Sequence, residues 1–127
     1  MSSATLFSII ESPMHPDFSS AYQRANIQEI KFNSMRKAIT ALKKQQPDYV
    51  VAEFFYGYGN NYAGVNISNL DVFLYSLQRY APQARVIVMV DKFERQYVDK
   101  LNEIFTLYAV LPHPVNKTKL ESLLSAD

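Results

Sequence analysis

The sequence predicts a three-layer α/β fold, a doubly wound five-stranded parallel sheet, formed by residues 1–127 as one domain. Three observations carry this. Five short apolar runs rich in β-branched and aromatic residues recur along the chain. Between them lie stretches with helical periodicity, the pattern of strands joined by crossover helices. The length of 127 residues, with 48% hydrophobic and 20% charged, suits one compact core and is too short for two ordinary domains.

The apolar runs are residues 5–10, 27–32, 49–54, 85–90 and 107–111. The third and fourth are almost unbroken in Val, Ile, Met and Phe, as expected of central strands covered on both faces. Gln28, Glu29 and Lys31 interrupt the second, which suits an edge strand. A short helix is expected near 17–25. Met35, Ala38, Ile39 and Leu42 recur at i, i+3, i+4 and i+7, predicting a helix over 34–46 that Pro47 closes. Ser68 and Asp71 have capping-box spacing ahead of Leu70, Phe73, Leu74 and Leu77, with Pro82 at the exit. Asp91 and Glu94 repeat that box ahead of Phe93, Tyr97, Leu101 and Ile104, so Asp91 is expected to cap a helix rather than act as an acid. Asn116 caps a last helix carrying Leu120, Leu123 and Leu124.

Right-handed crossovers then favour the flavodoxin-like strand order 2-1-3-4-5, and any site is expected beyond the carboxyl ends of the strands, near Glu11, Glu53, Asp91 and His113. Composition narrows the chemistry. With no cysteine there is no disulfide, thiol nucleophile or cysteine-ligated metal. Thirteen Lys and Arg against 12 Asp and Glu leave +1, which argues against a general grip on nucleic acid. No apolar run spans a membrane and no signal-like start is present, so a cytoplasmic protein without membrane contact is expected. After the first strand ESPMHPDF offers neither a glycine-rich turn nor a hydroxyl-rich cradle, so FMN is not expected, and no other cofactor is. His15, between Met14 and Pro16, has no nucleophile arranged around it.

From about Asn26 onward the chain resembles the receiver domain of bacterial response regulators, the CheY-like family. PDYVVAEF (47–54) is similar to that family's third strand, which ends in the phosphate-accepting aspartate. RVIVMVD (85–91) resembles the fourth strand, and LPHPV (111–115) the fifth-strand ending with its Lys-Pro pair. Glu11 stands where the family carries an acidic pair, at a receiver-like distance before Glu53. Pro114 follows His113 where the family usually has a cis peptide.

Against that pattern the departures cluster. Glu53 stands at the phosphoacceptor position, and its extra methylene shifts the carboxylate away from in-line geometry. Glu11 followed by Ser12 makes a poor cage for Mg²⁺, which prefers several placed oxygens. Val90 replaces a Thr or Ser hydroxyl and cannot hydrogen-bond a phosphoryl oxygen. His113 replaces the lysine. The resemblance therefore implies a pseudo-receiver with a vestigial phosphoacceptor pocket of Glu11, Ser12, Glu53, Val90 and His113. The expected module is not an enzyme, uses no metal and acts on a protein partner. Glu53 is expected to be held for structural reasons; the alternative is a built-in mimic of the phosphorylated state. A zinc or manganese ion on Glu11, Glu53 and His113 is chemically adequate but unsupported by spacing.

Residues 54–66, FFYGYGNNYAGVN, hold all three glycines of the protein and are longer than an ordinary strand-to-helix connection. Phe55, Tyr56, Tyr58 and Tyr62 offer either an interaction surface or a lid folded over the vacated pocket, and both readings stay open. Base stacking is not expected, because no Lys or Arg lies between Lys44 and Arg79. In the resembled family the fourth helix, fifth strand and fifth helix often form a dimer face. Here Lys92, Arg95, Tyr97, Asp99, Tyr108 and Lys119 are its expected members, with charges of both signs suited to a homodimer. Arg36, Lys37, Lys43 and Lys44 make a basic face without an acid from 30 to 46, expected to be solvated rather than docked to an acidic partner. Two rival functions remain: an active receiver phosphorylated on Glu53 with a divalent metal, and a small-ligand site beneath the tyrosine-rich loop.

Overall fold

The computed structural model describes residues 4–10, 18–55 and 70–125. The apolar runs form five strands, β1 (Ala4–Ile9), β2 (Ile27–Phe32), β3 (Tyr49–Glu53), β4 (Arg85–Val90) and β5 (Ala109–Pro112). All neighbours are parallel, and the order is β2-β1-β3-β4-β5, as predicted. The helices are α1 (Ser19–Arg24), α2 (Met35–Leu42), α3 (Asp71–Tyr80), α4 (Arg95–Val98) and α5 (Lys117–Ser125). None of them is long and apolar enough to cross a membrane.

The two-residue period of the strands divides the core between the sheet's faces. Val50 and Ala52 of β3, with Val86, Val88 and Val90 of β4, pack with Ala38 and Leu42 of α2, Phe73, Leu74 and Leu77 of α3, and Val98. The alternate residues Tyr49, Val51, Ile87 and Met89 pack with Tyr22 of α1 and Leu120 and Leu124 of α5. Burial on both sides is what made these runs unbroken in sequence.

Caps fix the helix starts. The Ser34 hydroxyl accepts the Lys37 N–H at 3.1 Å, and Asn116 Oδ1 accepts the Lys119 N–H at 3.1 Å. Asn26 closes the turn from α1 into β2 at φ 60°, a left-handed conformation that asparagine tolerates better than most residues.

β1 and β3 end one residue earlier than expected and α1 is shorter than 17–25, and three further departures have a visible local cause. The predicted helix over 34–46 stops at Leu42, where the Gln46 side-chain amide donates to the Leu42 carbonyl at 3.1 Å and takes the place of a continuing backbone turn. After β4, the Asp91 carboxylate accepts the Phe93 N–H at 2.9 Å and its carbonyl accepts the Glu94 N–H at 2.8 Å. That turn delays α4, which covers four residues before a 3-10 segment, Asp99–Glu103. Asp91 thus closes a turn instead of capping the helix. Phe93, expected inside, is 75% exposed, while Tyr97, Leu101 and Ile104 pack inward. The last strand begins at Ala109 rather than 107, because Asn102 Oδ1 engages the Leu107 N–H at 2.9 Å.

At the amino edge of the sheet the Arg85 guanidinium lies between the rings of Tyr49 and Tyr108, 5.7 and 5.4 Å from their centres. The Tyr49 hydroxyl donates to the Leu124 carbonyl and the Tyr108 hydroxyl to the Leu123 carbonyl, each at 3.3 Å. The end of α5 is therefore tied to the strands beneath it.

Candidate functional site

Three of the five predicted pocket residues come together at the carboxyl edge of the sheet, because parallel register brings strand ends level. Glu53 ends β3 opposite Met89, and Val90 ends β4 opposite Pro112. His113 follows β5 and its N–H donates to the Val90 carbonyl at 2.9 Å. The three form a row across adjacent strands. Glu11 and Ser12 lie outside the described residues.

Glu53 is 4% exposed and Val90 fully buried, whereas His113 is half-buried at the rim. Val90 belongs to the apolar core on the α2–α3 side. Its two methyls offer neither donor nor acceptor, so this side chain fills space and makes no hydrogen bond. The His113–Pro114 peptide is cis. Among the described residues no three His, Asp or Glu side chains converge as a metal site.

Phe55 is half-buried directly after β3; Tyr56, Tyr58 and Tyr62 lie outside the described residues, as does His15. Of the predicted contact face, Lys92, Arg95, Asp99, Tyr108 and Lys119 are exposed and Tyr97 is half-buried against the core. Arg95 and Asp99 pair with each other at 3.3 Å, one helical turn apart. Sequence periodicity missed Phe93, whose ring is exposed with the Lys92 ammonium 5.6 Å from its centre. The available signal was Asp91 itself, a turn former two residues upstream. A cavity of about 300 Å³, lined by Gln78, Pro82, Ala84, Ile104, Phe105 and Thr106, opens near the amino end of β4, remote from Glu53.

No family model matches the sequence, and no curated protein matches it. By structure the chain is similar to a response regulator receiver domain from Clostridium thermocellum, with a TM-score of 0.72, 13% identity, and 95% of this chain and 90% of that one covered. It is also similar to the receiver domain of AraT from Geobacillus stearothermophilus, at TM-score 0.74 and 11% identity over 96% of this chain and 90% of that one. A Francisella response regulator receiver domain aligns at TM-score 0.70 and 10% identity, covering 95% and 93%. The chain has the CheY-like receiver fold.

Proposed function

We propose that this chain is a receiver-like signalling module that works through contacts with a protein partner and does not take up phosphate. The observation that carries this reading is Val90: a fully buried valine, one residue past the register partner of Glu53 and bonded through its carbonyl to His113, at the position where a working receiver needs a hydroxyl. Glu53 adds a longer carboxylate at the acceptor position, and His113 an imidazole in place of the lysine. Three groups needed for positioning and charge stabilisation have changed together, and such groups act as a unit.

Incubation with acetyl phosphate and Mg²⁺ followed by intact-mass measurement tests it. The chain is expected to keep its mass, as is the Glu53→Asp variant, because restoring the aspartate leaves Val90 and His113 unchanged. A gain of one phosphoryl group on the natural chain overturns the reading in favour of an active receiver.

The contact surface of this reading is the side formed by α4, β5 and α5, where Lys92, Arg95, Asp99, Tyr108 and Lys119 are exposed and the Lys92 ammonium lies 5.6 Å from the centre of the exposed Phe93 ring. An exposed aromatic on a side that carries charges of both signs has the make-up of an interface, and a homodimer is the arrangement proposed. Sedimentation across a hundredfold concentration range tests this: Phe93→Asp is expected to weaken self-association at least tenfold, and a natural chain that stays monomeric throughout refutes the dimer. The tyrosines of residues 56–62 are proposed as a second contact; changing all three to Ala without loss of partner binding refutes that assignment.

A further inference from the structure

We propose that the outer face of α2 and α3 is a docking surface for an acidic amphipathic segment of a partner protein. The two helices pack side by side over the same core. Arg36, Lys37, Lys43 and Lys44 are all exposed along α2 and the turn that ends it. Among the described residues none of the four has an ion-pair partner.

The acids on the elements packed around them are otherwise engaged. Asp71 of α3 is buried, Asp48 accepts the Thr5 N–H at 2.8 Å, and Glu29 of β2 accepts the Ser19 hydroxyl at 2.6 Å. Residues 56–69, which lead into α3, contain no charged residue.

Helix stability does not account for the arrangement. Lys43 and Lys44 complement the negative end of the helix dipole, but Arg36 and Lys37 occupy the first turn, where unpaired N–H groups already carry positive charge and no acid offsets them. Residues that break a local rule without internal compensation mark functional positions. The compensation here is supplied from outside, by carboxylates.

Beside this cationic stripe, Val72 and Tyr75 of α3 are 54% and 58% exposed, one turn apart, with Arg79 exposed on the next turn. The pair supplies an apolar anchor of the kind that interface centres use. Arg36 and Lys43 are seven residues apart, roughly 10 Å along a helix axis, which matches acids two turns apart on an opposing helix. An extended polyanion fits less well. With Arg79, five of the thirteen Lys and Arg sit on this face, leaving eight against twelve Asp and Glu in the rest of the chain, a net negative remainder that disfavours a nucleic acid or an anionic membrane.

The experiment is fluorescence anisotropy with a labelled 18-residue helical peptide carrying Glu on one face and Leu and Phe on the adjoining face. A peptide with Lys for Glu, a 20-nucleotide single strand, a duplex, and phosphatidylcholine–phosphatidylglycerol vesicles serve as competing probes. The acidic peptide is expected to bind, more weakly at high salt. Binding should weaken about tenfold in R36E/K37E and again in K43E/K44E, since each change removes two exposed ion pairs and adds repulsion. V72S/Y75S should weaken it without altering the salt dependence. R36E/K37E should melt no lower than the natural chain, which separates docking from folding, and R36Q/K37Q repeats the comparison without charge reversal. No peptide binding, binding indifferent to these changes, or equal or tighter binding of the nucleic acids or vesicles overturns the proposal. The inference does not depend on the state of Glu53: a chain that accepts phosphate and still binds the peptide refutes the preceding reading and leaves this one standing.

Discussion

Replacing Val90 with threonine tests whether the sheet edge has become core. The two side chains have nearly the same shape, so the substitution exchanges one buried methyl for a hydroxyl at a fully buried position in an apolar cluster. Losing a buried methyl removes about 0.8 kcal/mol of burial, and an unpaired hydroxyl in such a site costs about 1–2 kcal/mol more. A total of about 2–3 kcal/mol corresponds, at roughly 4 °C per kcal/mol for a chain of this length, to a melting temperature lower by about 8–12 °C. Thermal unfolding followed by circular dichroism, with urea titration alongside, measures it directly. A Val90→Thr variant as stable as the natural chain refutes the reasoning. It would mean that a polar partner already waits beside position 90, as a working phosphate pocket requires.

Other substitutions probe the remaining links. Ser34→Ala removes the side-chain cap of α2 and should cost about 1 kcal/mol in urea unfolding, with Ser34→Gly costing less. Tyr49→Phe deletes a buried hydroxyl bonded to both Arg85 and the Leu124 carbonyl, and a loss of about 1 kcal/mol is expected, seen as a lower urea midpoint at unchanged slope. Arg24→Ala breaks the 2.5 Å pair with Glu121, but Arg24 is exposed and Glu121 partly so, and solvent screening should keep the loss below about 0.5 kcal/mol in urea unfolding.

The architecture was legible because strand burial on both faces leaves an unbroken apolar run, and helix spacing leaves its own period. The segments 27–32 and 85–90 were read to the residue as β2 and β4. The row of Glu53, Val90 and His113 was legible because parallel strands of similar length end level, so strand-end residues meet whatever their separation in sequence. Phe93 was not, since an aromatic at the right spacing reads as core until one knows that Asp91 diverts the chain first. The early stop of α2 was hidden for a similar reason: a single glutamine amide reaching back to a carbonyl leaves no periodic trace. Exposure on the basic face was readable from spacing. That its cations lack carboxylate partners among the described residues depends on side chains from β2, α3 and the segment before β3, which only the folded chain brings alongside.

The hydroxyls that Tyr49 and Tyr108 lend to the last turn of α5 make the carboxyl-terminal helix part of the sheet's amino edge rather than an appendage laid over it. Trimming the chain back past Leu123 would remove more than Leu124 from the core: it would strip two phenols of their acceptors and loosen the stacked guanidinium of Arg85 between them. Damage at the far end of the polypeptide would thus be felt at the middle strand, 75 residues earlier. Deletions there should fail abruptly, at one turn, instead of weakening the protein by degrees.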